Sequence, residues 1–151
     1  MTTSSPANLN ILIIENDPAA ARLTKEAFKE AGLIGRVVSV PDGDVALEYL
    51  RREGPHSNRP EPALIFLDLH LPKKSGLEVL AEIKQNPKLR VTPVVVVSGS
   101  ASPGEIRKAY ELHANCYVRK PDDLDQFILF AKSCYEFWGG VVVFADASNG
   151  R

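Results

Sequence analysis

The chain has 151 residues, 44% hydrophobic and 25% charged, with a net charge of -1 at pH 7. That is enough for one well-packed domain, too short for two of ordinary size, and the wrong composition for a disordered or fibrous chain. With no surplus of Lys and Arg to neutralise a phosphate backbone or an anionic bilayer, neither nucleic acid nor membrane is an expected partner.

MTTSSPANLN lacks the basic and apolar regions of a signal peptide, and no later apolar run is long enough to span a bilayer, so the expected location is cytoplasmic. Residues 1–8 are expected to form a flexible N-terminus, 9–138 a single domain and 139–151 a C-terminal extension. Cys116 and Cys134 fit neither a disulfide framework nor a zinc pattern, and read as small buried side chains.

In chain order, LNILII (9–14), RVVSV (36–40), ALIFL (63–67), PVVVV (93–97) and NCYV (115–118) are short runs rich in branched residues, which predict strands. After the first run, Ala20, Leu23, Ala27, Phe28 and Ala31 recur at three- and four-residue steps, one apolar stripe on a helix entered through Asp17-Pro18 and left at Gly32. Asp42 caps a second helix with Val45, Ala46, Tyr49 and Leu50 on its apolar face. The stretch 52–62, rich in proline and polar residues, predicts a surface loop containing His56. Ser75 with Glu78 forms a capping box for a third helix that stops at Asn86-Pro87, and Ser102 with Glu105 repeats the device for a fourth. A fifth helix runs from about Asp122 to Trp138.

Strand and helix thus alternate five times, which predicts an α/β fold: a doubly wound, five-stranded parallel sheet with helices on both faces. Ligands of such sheets bind beyond the carboxyl ends of the strands. At those ends lie Glu15 and Asn16 after the first strand, Asp68 after the third, Ser98 after the fourth, and Tyr117 to Lys120 at the fifth. Taken singly, each has an ordinary explanation: Asp68 as a turn former, Lys120 as a solvated lysine, Ser98 as a loop hydroxyl. Together they predict a pocket in which Glu15, Asn16 and Asp68 offer hard oxygens to Mg2+, Lys120 and Ser98 meet phosphoryl oxygens, and Asp68 is the nucleophile.

ILIIEND, LIFLDLHLPKKSG, PVVVVSGS and CYVRKP, in this order and spacing, resemble the receiver domains of two-component response regulators over residues 9–138. The resemblance implies a flavodoxin-like sheet of order 2-1-3-4-5. It implies Asp68 as phosphoacceptor, Ser98 and Tyr117 as switch residues, and Lys120 as the family's lysine. The His70 backbone carbonyl becomes a metal ligand, and Lys120-Pro121 a cis peptide. A histidine kinase would donate the phosphoryl group, and self-catalysed transfer and hydrolysis would be the only chemistry. The long loop before LIFLD, LHANCYVRKP and EFW look more narrowly like regulators that work with phytochrome-type kinases.

The chain departs from the family at the pair of acids after the first strand, which here reads Glu15-Asn16. An Asn oxygen can ligate Mg2+ without adding charge, so weaker metal binding is expected, with Asp17 read as a helix cap. A pseudo-receiver that keeps the fold and has lost chemistry is therefore the alternative. A phosphotransferring hydrolase ranks third, because Asp68-Leu69-His70 lacks a second acid.

Downstream, the fifth helix carries more apolar surface than one face needs, and GGVVVFADA adds a strand-like piece. These features predict a homodimer built on Phe130, Cys134, Phe137, Trp138, Val141 and Val143, with residues 141–144 adding a strand. The residues after Trp138 are too few for a DNA-binding output domain, so output is expected through protein contacts.

Overall fold

A computed structural model describes residues 8–145. The expected flexible stretch 1–8, apart from Asn8, and residues 146–151 of the extension lie outside the described residues.

The strands are β1 (Leu9–Ile14), β2 (Gly35–Val40), β3 (Leu64–Leu67), β4 (Val94–Ser98) and β5 (Cys116–Arg119). The helices are α1 (Pro18–Glu30), α2 (Gly43–Leu50), α3 (Gly76–Gln85), α4 (Pro103–Glu111) and α5 (Leu124–Gly140). All strands pair in parallel in the order β2-β1-β3-β4-β5, with Ile14 opposite both Val40 and Leu67, and Leu67 opposite Val96. The expected sheet and order are those observed.

Period-two alternation divides the strand side chains between two cores. Leu12, Ile14, Ile65, Leu67, Val94 and Val96 face the side covered by α2, α3 and α4. Leu9, Ile11, Ile13, Leu64, Phe66 and Val95 face the side covered by α1 and α5. On this second side Phe28 is fully buried and stacks on Phe66 at 5.7 Å, a side chain whose burial stabilises the fold by about 1.5–3 kcal/mol.

The caps expected for the first four helices form except at one. Asp17 caps α1 through the Ala19 N–H, Asp42 caps α2 through the Val45 N–H, and both bonds of the Ser75–Glu78 capping box are present. Gly32, at φ +83°, carries the chain out of α1 in the left-handed region that favours glycine. The Ser102–Glu105 box is not formed. The Ser102 N–H that Glu105 would have accepted donates instead to Ser100 Oγ, and the Glu105 carboxylate lies 3.5 Å from His70 Nε2.

The loop between α2 and β3 contains a 3-10 turn at Gly54–His56, and His56 rests near the Tyr49 ring at 5.6 Å. No cis peptide occurs among the described residues, so the Lys120-Pro121 bond is trans, contrary to expectation. The small energy gap between the two forms at an X-Pro bond leaves the choice to its surroundings.

At the C-terminus, α5 continues through Gly139 and Gly140, and the strand expected at residues 141–144 is absent. Val141 and Val142 both donate backbone N–H groups to the Phe137 carbonyl, after which the chain is irregular and Phe144 stacks on Trp138 at 6.1 Å. Of the six residues assigned to a dimer face, Phe130, Cys134 and Trp138 pack against the chain's own second core, Phe130 lying 5.4 Å from Phe66. Burial pushes the Cys134 thiol up to about 12, with a smaller contribution from Cys116, as expected of an inert apolar side chain. Phe137, Val141 and Val143 are exposed, together with Leu129, which the sequence reading did not include.

Candidate functional site at the carboxyl edge of the sheet

Three of the strands that feed the site, β1, β3 and β5, continue their ladders by one bond beyond the last regular residue. Glu15 N–H donates to Val40 O at 3.0 Å, Asp68 N–H to Ile14 O at 3.0 Å, and Lys120 N–H to Ser98 O at 2.7 Å. The backbones of the three charged residues are therefore fixed by the sheet rather than by loops, which narrows the side-chain positions open to them.

From these anchors the side chains converge. Lys120 Nζ lies 2.5 Å from Glu15 Oε1 and 3.4 Å from Asp68 Oδ2. Glu15 and Asp68 are 8% and 7% exposed, so neither carboxylate keeps enough water to dispense with a protein partner. Their second oxygens are also engaged, Glu15 Oε2 by the Asp17 N–H and Asp68 Oδ1 by the His70 N–H, both at 3.0 Å.

Burial pushes the Glu15 carboxyl up; the bonds from Lys120 and the Asp17 N–H pull it back, and neighbouring Asp68 adds to the rise. For Lys120, burial disfavours the ammonium, but contact with Glu15 and the charge of Asp68 outweigh it and the pKa is raised. This ammonium faces two carboxylates and stays charged at neutral pH.

Close packing beneath the site holds Asp68 in place. A Cβ at Gly76 would fall 2.4 Å from both Asp68 O and Leu69 Cα, so α3 can approach the end of β3 only with glycine in its first turn.

Ser98 is fully buried at the end of β4, where its Oγ accepts the Ser100 N–H at 3.3 Å. The half-buried Tyr117 donates its hydroxyl to Ser100 O at 2.9 Å. Asn16 is exposed, beside the cluster and outside its bonded part, and Asp17 is occupied as a cap. The His70 ring is exposed, directed at Glu105.

Among the described residues, no three His, Cys, Asp or Glu side chains are close enough to hold a metal by themselves. Two carboxylates with spare lone pairs at an open sheet edge instead suit a hard cation that keeps several waters, as Mg2+ does. The donor set therefore fits such an ion.

Glu15, Asp68 and Lys120 thus meet through their side chains, and Ser98 adjoins them through its backbone bond to Lys120. Gly76, the Asp17 N–H and the His70–Glu105 contact were not singled out beforehand. Only Gly76 had a visible signal, a glycine directly after a helix cap.

Residues 11–131 match the family model of the response regulator receiver domain. The chain is 41% identical over 128 residues to the response regulator Rcp1 of Synechocystis sp., spanning 85% of this chain and 87% of that protein. It is 40% identical over 131 residues to a probable methanogenesis regulatory protein, FilR2, of Methanothrix harundinacea, spanning 86% and 83%. Among solved structures, the phosphorylated cyanobacterial phytochrome response regulator RcpA is 43% identical with a TM-score of 0.87, covering 93% of this chain and all of that one. The Mn(2+)-bound form of response regulator Rcp1 is 39% identical with a TM-score of 0.84, covering 91% and 99%. The chain belongs to the receiver domain family of response regulators, the phosphorelay receivers of two-component signalling.

Among the described residues, no helix is long and apolar enough to cross a membrane.

Proposed function

We propose that this receiver takes a phosphoryl group from a histidine kinase onto Asp68, using Mg2+ and Lys120, and converts the acylphosphate into a change of protein contacts. The observation that carries this reading is the single ammonium of Lys120 set against both Glu15 and Asp68. A phosphoryl group on Asp68 would bring new negative charge to an edge that already holds two carboxylates. Lys120 is placed to exchange part of its bond to Asp68 for one to a phosphoryl oxygen.

In the transfer, an Asp68 carboxylate oxygen forms a bond to phosphorus as the bond from phosphorus to the kinase's imidazole nitrogen breaks, and the imidazole leaves with the electron pair and takes up a proton. Bound through Glu15, Asp68, the Asn16 side-chain oxygen and the His70 carbonyl, Mg2+ would supply charge neutralisation at the phosphoryl oxygens. Attack of water on phosphorus then breaks the bond to the Asp68 oxygen, releasing inorganic phosphate and returning the free carboxylate. The buried Ser98 hydroxyl turns toward the phosphoryl group, and the Tyr117 ring turns inward.

The matches to Rcp1 and RcpA support a phytochrome-type kinase as the donor, and the globular chain, without a membrane-spanning helix among its described residues, fits a cytoplasmic place. The partner for output is a second copy of the chain, seated on the exposed Leu129, Phe137, Val141 and Val143. The alternative, a pseudo-receiver, draws on Asn16, which offers a neutral oxygen where the family carries a second acid.

Incubation with Mg2+ and acetyl phosphate, followed by intact mass, is expected to show one base-labile phosphoryl group that is missing in Asp68→Ala. No uptake by the unaltered chain would favour the pseudo-receiver. Asn16→Asp adds a charged ligand and is expected to tighten Mg2+ binding on the order of tenfold. Equal affinities in titrations of the two forms would remove Asn16 from the ligand set. For the assembly, sedimentation should show a dimer of the full chain that Phe137→Asp shifts toward monomer; a monomeric parent, or a variant that still dimerises, contradicts this face.

A further inference from the structure

Tyr110 lies on the last turn of α4, 46% exposed, and touches none of Glu15, Asp68 or Lys120 by hydrogen bond or ion pair. Its hydroxyl nevertheless accepts the backbone N–H of Tyr117 at 3.1 Å. That bond ends an unbroken path. Ser98 Oγ accepts the Ser100 N–H at 3.3 Å, Ser100 O accepts the Tyr117 hydroxyl at 2.9 Å, and the Tyr117 N–H reaches Tyr110.

The path starts at a fully buried hydroxyl beside the site and ends at an exposed ring on another element. It holds Tyr117 at two separate points, its ring hydroxyl against the β4–α4 loop and its main chain against the end of α4. β5 is a four-residue strand at the edge of the sheet, paired on one side only, so a side-chain bond to its backbone adds a second tie beside its ladder to β4. The longest link, at Ser98, is also the weakest, and is the one broken if the Ser98 hydroxyl turns to a phosphoryl oxygen.

We propose that Tyr110 is a positioning residue: its hydroxyl ties β5 to α4 in the unphosphorylated chain, and it forms the surface end of the path through which phosphorylation of Asp68 loosens that tie. The proposal deepens the phosphoacceptor reading and rests on it for its second half only. The first half, the tie itself, concerns the resting protein.

Tyr110→Phe keeps the ring and removes the hydroxyl. In amide hydrogen exchange on the full chain, the Tyr117 N–H is expected to exchange about tenfold faster in the variant than in the parent, before any phosphodonor is added. With acetyl phosphate and Mg2+, the parent's Tyr117 amide should accelerate toward the variant's rate while the variant changes little, and phosphoryl uptake by Asp68, read by intact mass, should be the same in both. A structural loss alone would raise exchange across α4 and β5 generally, whereas the proposal confines the effect to Tyr117 and its immediate neighbours.

Unchanged Tyr117 exchange in the variant overturns the tie. Full phosphorylation with no change in the parent's Tyr117 exchange overturns the coupling. Absence of phosphoryl uptake in both proteins counts against the function of Asp68 and leaves the resting comparison to decide the tie.

Discussion

One lysine ammonium between two buried carboxylates sets the terms for the rest of this molecule. Removing one partner of such a buried group costs about 3–5 kcal/mol, because the other is left charged and dry. The fold meets this demand by fixing all three residues through backbone bonds that extend the parallel ladders past the ends of β1, β3 and β5. Two carboxylates against one ammonium still leave the edge short of positive charge. That shortfall suits a divalent cation.

The same anchoring links the site to the surface. Lys120 and Ser98 share a backbone bond, Ser98 meets Ser100, and Ser100 meets Tyr117, so the groups nearest Asp68 connect to α4 and β5 by hydrogen bonds instead of by loosely packed side chains. Small movements at a buried hydroxyl can then select between two arrangements of an exposed face.

The strands and the site were legible in the sequence for one reason. Strands buried on both faces are written as unbroken branched runs, and the polar residue that ends each run must sit at the sheet's edge. Glu15, Asp68, Ser98 and Lys120 were found on that basis, and the family resemblance supplied their roles. What was not legible depended on which of several compatible partners a group chose. Ser102 and Glu105 have the spacing of a capping box, yet Ser100 Oγ took the donor and His70 the neighbourhood of the carboxylate. Phe130 extends an apolar helix surface in the same way as Phe137, but a helix wheel does not say that Phe28 and Phe66 reach across to meet it. Tyr110 had no signal, because its partner is a backbone N–H, which every sequence position but proline offers.

A cation bound among groups from the ends of β1 and β3 is what the phosphoryl chemistry at this edge requires. Paramagnetic broadening by Mn2+, read on backbone amide signals of the full chain, maps such a site without requiring phosphorylation. Signals of Glu15, Asn16, Asp68 and His70 are expected to fade first, Lys120 close behind, while those of α2 and the outer face of α5 persist. Fading centred on another part of the surface, or spread evenly over the exposed carboxylates, would contradict it.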